Sequence, residues 1–94
     1  MGFSDLKLHK ELIKVLEENR IFKPTEIQKC TFPAASNGHD IIGISQTGSG
    51  KTLGFLLPLL HQIMLSDKPF HSLIIAPTRE LSQQIGDTLK LFLF

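Results

Sequence analysis

The sequence predicts an α/β domain in which helices flank a parallel sheet, and three observations lead there. Two short β-branched runs, Asp40-Ile41-Ile42-Gly43-Ile44-Ser45 and Ser72-Leu73-Ile74-Ile75-Ala76, read as strands covered on both faces. Each precedes a segment of helical periodicity, and the order strand, helix, strand, helix calls for a right-handed crossover between parallel strands. A glycine-rich loop separates the first strand from its helix. At 94 residues the chain holds one small core.

Taken in order, residues 5–19 place Leu8, Leu12, Val15 and Leu16 on one helical face, with Ser4 or Asp5 as N-cap. Pro24 interrupts the chain. Thr25-Glu26-Ile27-Gln28 has the spacing of a capping box and opens a second helix that runs to about Ala35, where Asn37-Gly38 closes it. After the first strand and its loop, a third helix runs from Lys51 to about Leu65, with Leu53, Leu56, Leu57, Leu60 and Met64 as its core stripe. Pro58 lies inside it, with its ring against the carbonyl of Gly54. Residues 66–70 make a turn. Pro77 stops the second strand, and Thr78 caps a last helix with Leu81, Ile85, Leu89 and Phe92 facing inward. The chain thus divides into a helical region, 1–36, and the start of a βαβα core, 37–94.

Composition narrows the partners. Ten Lys and Arg against nine Asp and Glu leave a net charge of +1, so there is no long-range basic field and any polyanion site is local. Hydrophobic residues at 41% and charged residues at 20% exclude a disordered chain. The start has no cleavable apolar run, and Pro58, His61 and Gln62 interrupt the longest apolar stretch, so a soluble intracellular chain with no membrane partner is expected. Cys30 permits no internal disulfide and reads as a small core hydrophobe; His9, His39, His61 and His71 lack metal-ligand spacing.

The strongest chemical signal is Ser45-Gln46-Thr47-Gly48-Ser49-Gly50-Lys51-Thr52, between a predicted strand and a predicted helix. That is the setting of a phosphate-binding P-loop. Backbone N–H groups from Gln46, Thr47, Gly48, Ser49 and Gly50 and the following helix N-terminus can surround a polyphosphate. Lys51 then neutralises the β- and γ-phosphates and the Thr52 hydroxyl ligates Mg²⁺, which makes these two the expected catalytic residues. Ser45 stands where the strict motif has Gly. An accidental Lys-Thr after a simple turn is the alternative, which the flanking strand and helix disfavour.

Pro24-Thr25-Glu26-Ile27-Gln28, preceded by Phe22 and Phe3, followed by the P-loop and then by Pro77-Thr78-Arg79-Glu80-Leu81, resembles the N-terminal part of DEAD-box RNA helicases over nearly the whole chain. The resemblance implies a RecA-type ATP-binding domain of which only the first part is present. It implies that Thr25 and Gln28 read adenine, that Pro77, Thr78 and Arg79 touch an RNA backbone, and that ATP and Mg²⁺ are the cofactors. The chemistry of the residues agrees. A Gln amide matches the donor and acceptor of adenine N6 and N7, whereas guanine places an acceptor opposite the Gln carbonyl. Gln28 also fits a plain capping box with Thr25, and the two roles can coexist. Thr78 and Arg79 suit a phosphate-sized anion at a helix start, or equally a cap with an Arg79–Glu80 surface pair.

Arg20 and Ile21 stand where the family usually has Gly and an aromatic, so Ile21 is left as an apolar plate for the base. The family's Asp-Glu-Ala-Asp and Ser-Ala-Thr motifs do not occur in these residues. The expectation is an ATP-binding N-terminal segment of an ATP-dependent RNA helicase, unable to hydrolyse ATP by itself. A short non-catalytic protein that binds nucleotide or RNA, or competes for helicase cofactor proteins, is the alternative. The approach Asp40-Ile41-Ile42-Gly43 resembles helicases of ribosomal RNA processing, which implies a nuclear or nucleolar home. Open sheet edges and an unsheltered Phe92-Leu93-Phe94 predict that the chain alone is marginally stable and prone to aggregate.

Overall fold

Four helices and one short 3-10 helix make up the regular structure in a computed structural model that describes residues 2–46, 50–66 and 72–92. The 3-10 helix, Phe3–Leu6, ends at Lys7, whose φ of 62° prevents its continuation. Helix α1 therefore starts later than the apolar pattern suggests, at Lys10–Glu18. Its N-cap is His9, not Ser4 or Asp5: the His9 Nδ1 accepts the Glu11 N–H at 3.1 Å.

α1 ends in a Schellman motif. The Arg20 N–H donates to the Glu17 carbonyl at 3.0 Å and the Ile21 N–H to the Leu16 carbonyl at 2.8 Å. The motif needs a left-handed residue at its corner, and that residue is Arg20, with φ of 60°. Ile21, just past the corner, packs against the main core.

Helix α2, Glu26–Ser36, begins after Thr25 and buries Gln28, Thr31 and Phe32. Cys30 lies on the opposite side of this helix and is exposed, which corrects the expectation of a core thiol. Helix α3, Lys51–Leu65, starts at the left-handed Gly50 and continues through Pro58. Helix α4, Arg79–Lys90, starts at Thr78, whose Oγ1 accepts the Leu81 N–H at 3.1 Å. No Arg79–Glu80 surface pair forms; the described ion pairs are Lys29–Glu26 and Lys90–Asp87, both exposed.

The core joins Phe3, Leu8, Leu12, Val15 and Leu16 to Phe32, Leu57 and Phe92. Phe92, expected to be unsheltered, is 4% exposed, because the turn after α4 delivers its ring to the α1 face. Leu93 and Phe94, and residues 67–70 of the turn expected at 66–70, lie outside the described residues. A second contact ties the N-terminal region to α3: the His9 N–H donates to His61 Nδ1 at 3.0 Å, and the His61 ring stands edge-on to Phe32 at 5.1 Å. Burial, and secondarily the charge of His9, hold the His61 pKa below its ordinary value.

The sheet is where the expectation and the structure part. Among the described residues no strand forms, and the predicted strands at 40–45 and 72–76 are irregular. The physical reason is that a strand exists only as a member of a ladder, and these segments have no described neighbour to pair with. Ile42 and Ile44 are 90% and 87% exposed, Leu73 and Ile75 84% and 82%. Their apolar character asks for cover on both faces, and the helices reach one side only. No helix among the described residues is long and apolar enough to cross a membrane.

Candidate functional site

The site is built where α2 meets the start of α3. Gly50 has φ of 88° and ψ of 25°, a left-handed conformation that any side chain resists. Space demands glycine as well. A Cβ at Gly50 would stand 2.6 Å from Gln28 Nε2 and 2.9 Å from Thr25 Oγ1. The last glycine of the loop thus rests directly on the two polar residues that open α2.

Gln28 is 3% exposed and makes two bonds. Its Oε1 accepts the Thr25 N–H at 3.0 Å, half of a capping box, and its Nε2 donates to the Gly50 carbonyl at 3.1 Å. That carbonyl also accepts the Gly54 N–H at 3.0 Å, the first bond of α3. An amide oxygen has two lone pairs and an amide nitrogen two hydrogens, so each atom keeps one position for a further partner.

Two more side chains bridge the same helices. Thr31 Oγ1 donates to the Gly54 carbonyl at 2.7 Å in a buried contact, and Gln62 Nε2 donates to the Ala35 carbonyl at 3.4 Å. The three links advance together along both helices, so α2 and α3 run in the same direction. Gly54 lies at this crossing, where a Cβ would make ordinary contact with Thr31 Oγ1 at 3.5 Å and Ile27 at 3.7 Å.

Lys51 is exposed, and its Nζ donates to the Ser45 carbonyl at 2.8 Å, so it spans the two ends of the loop. Thr52 is half-buried in the first turn of α3. Gly50 and Thr52 line both a cleft of about 1040 Å³, with Ile27, Lys51, Leu81 and Gln84 among its walls, and a smaller one of about 190 Å³. Ile21 is a wall of the smaller cleft, beside Gly50, Thr52 and Leu53. Gln46, Pro77, Thr78 and Arg79 are exposed. Thr47, Gly48 and Ser49 lie outside the described residues. Sequence reasoning missed Thr31. Its signal was available in Pro58, which has no N–H for the Gly54 carbonyl and so announces a need for another donor.

The sequence model of the DEAD/DEAH box helicase family matches residues 25–94. The chain is 46% identical over 92 residues to the ATP-dependent rRNA helicase RRP3 of Encephalitozoon cuniculi, covering 98% of this chain and 23% of that protein. It is 49% identical over 87 residues to RRP3 of Saccharomyces cerevisiae strain S288c, covering 93% and 17%. The chain therefore spans about a fifth of the length of these curated relatives. Among solved structures it is similar to the RNA helicase Prp28 from Chaetomium thermophilum bound to ADP, with a TM-score of 0.82 and 39% identity over 93% of this chain and 22% of that one.

Proposed function

The chain belongs to the DEAD/DEAH box helicase family, and on that premise we propose that residues 1–94 are the ATP-binding N-terminal segment of an ATP-dependent RNA helicase. One observation carries the reading: the Gln28 amide rests on the Gly50 carbonyl, so a base-reading group and the phosphate loop meet at one point. The spare lone pair on Oε1 accepts from adenine N6, and the spare hydrogen on Nε2 donates to N7. Guanine offers an acceptor where a donor is needed, which favours ATP over GTP. Ile21, beside Gly50, is the apolar plate.

Lys51 holds a neutral carbonyl across the loop; a phosphate offers it a charge-assisted bond of roughly twice the strength, so the ammonium turns to the nucleotide. The N–H groups that open α3 point toward the same anion. Mg²⁺, when bound, supplies positive charge shared among the phosphate oxygens. The hydroxyl of Thr52, a residue that lines both clefts with Gly50, is the hard oxygen donor this chain offers it. Pro77, Thr78 and Arg79, exposed at the start of α4, contact the RNA backbone.

In the whole enzyme, segments 40–45 and 72–76 join a parallel sheet beside strands from the remainder of the domain, which covers the exposed isoleucines. Binding of ATP closes the enzyme on single-stranded RNA and bends it, parting short duplexes, and hydrolysis releases it. Hydrolysis draws on the Asp-Glu-Ala-Asp motif, which these residues lack, so residues 1–94 alone do not turn over ATP. Likeness to rRNA helicases supports a substrate in ribosomal RNA processing, a nucleolar location and helicase cofactor proteins as partners. In the full-length protein, Lys51→Ala is expected to abolish RNA-stimulated phosphate release; normal turnover at saturating ATP overturns the assignment.

A further inference from the structure

A proline inside a helix leaves one carbonyl without its helical donor, and in α3 that carbonyl belongs to Gly54, four residues before Pro58. Both residues are buried, so water does not reach the carbonyl easily, and an unpaired buried acceptor is costly. Thr31 supplies the missing donor from α2 at 2.7 Å. Thr31 lies three residues after Gln28, and Gly54 four residues after Gly50. One helical turn therefore separates the Thr31–Gly54 bond from the Gln28–Gly50 bond on both helices, and the two act as adjacent rungs.

We propose that Thr31 is a positioning residue of the nucleotide site: by taking the carbonyl that Pro58 vacates, it fixes α3 against α2 and so keeps Gly50 seated on the Gln28 amide. The inference rests on the reading of Gln28 and the P-loop as an adenine nucleotide site. Without the upper rung, α3 can slide or rotate against α2, and the base-reading and phosphate-binding halves lose their mutual register. Thr31 itself touches no nucleotide. Its side chain is needed for the hydroxyl, so serine replaces it and valine, of the same shape, does not.

Pro58 makes the role separable from stability. Pro58→Ala returns an N–H to position 58, so the Gly54 carbonyl regains its helical partner whether or not Thr31 is there. The test uses the full-length protein and titrates ADP into the parent, Thr31→Ser, Thr31→Val and the double variant Thr31→Val with Pro58→Ala, with a thermal melt of each. Thr31→Val is expected to lower the melting temperature and weaken ADP by about 2- to 10-fold, the equivalent of one hydrogen bond. Thr31→Ser keeps both properties. The double variant regains thermal stability but not ADP affinity, because the link between the helices stays broken. A double variant that regains both, or a Thr31→Val protein that binds ADP like the parent, overturns the positioning role and leaves Thr31 a structural hydrogen bond. Failure of the parent to bind ADP at all overturns the nucleotide site itself, a separate outcome.

Discussion

Arg20→Gly should make the protein more stable, although glycine is ordinarily the most costly residue to order. At the Schellman corner Arg20 holds φ of 60°, where the Cβ of an L-residue crowds the following carbonyl. That crowding costs about 1–2 kcal/mol, and glycine is free of it. Against this stands the extra freedom that glycine surrenders on folding, about 0.5–1 kcal/mol. The net is a gain of about 0.5–1 kcal/mol. The Arg20 side chain is exposed, and the two bonds of the motif come from the backbone N–H groups of residues 20 and 21, so both survive the substitution.

The assay is a thermal or urea melt followed by circular dichroism, with Arg20→Ala beside Arg20→Gly. For a domain of this size the gain corresponds to a rise of about 2–8 °C. Alanine carries the same Cβ and the same strain, so Arg20→Ala should melt close to the parent. A glycine variant that melts at or below the parent temperature refutes the strain argument. An alanine variant that rises as far as glycine refutes it differently, by moving the cause from the backbone to the arginine side chain.

Gly50→Ala is the opposite case: left-handed strain of about 1–2 kcal/mol adds to the displacement of a Gln28 amide that would stand 2.6 Å from the new Cβ. The variant should melt lower and bind ADP more weakly, and a melt within half a degree of the parent would contradict the geometry. His61 predicts a pH dependence. Burial, and secondarily the charge of His9, hold its pKa below the ordinary value of about 6.5, and its Nδ1 accepts the His9 N–H only in the neutral ring. Below that value the unfolded chain takes up the proton first, so this stabilisation is complete above about pH 6.5 and declines as pH falls toward the folded pKa. His61→Asn keeps an acceptor without a titration, and its melting temperature should fall less between pH 7.5 and 5.5 than the parent's; parallel curves would rule the histidine out.

Local signals in the sequence were enough to place three of the four helices. Pro24 and Thr25 before α2, Gly50 before α3 and Thr78 before α4 each act on the backbone within a few residues, and those starts agree with the structure. α1 was misplaced because His9 is not among the usual capping residues, and its Nδ1 acts as a cap only through its geometry toward the Glu11 N–H. Arg20 stood out only as a departure from the Gly usual in the family, and its backbone carries the corner of a helix end. The strands are absent among the described residues for a different reason: Ile41, Ile42 and Ile44 report a preference for a buried ladder, and a ladder depends on partners that a propensity does not supply. Of the site, the types and order of Thr25, Gln28, Gly50 and Lys51 were legible. That Gln28 both caps α2 and bonds the Gly50 carbonyl was not, since it depends on how two helices separated by fourteen residues pack.

The most direct test of the joint base and phosphate site is an equilibrium titration of the full-length protein with ADP and with GDP, repeated for Gln28→Ala. The parent should prefer ADP, and Gln28→Ala should lose most of that preference, about 1–3 kcal/mol for a paired amide contact to a base. Both proteins should retain a common affinity owed to Lys51 and the backbone of the P-loop. Equal affinity of the parent for ADP and GDP would contradict the account, and would leave Gln28 as the cap of α2 and the rest for Gly50.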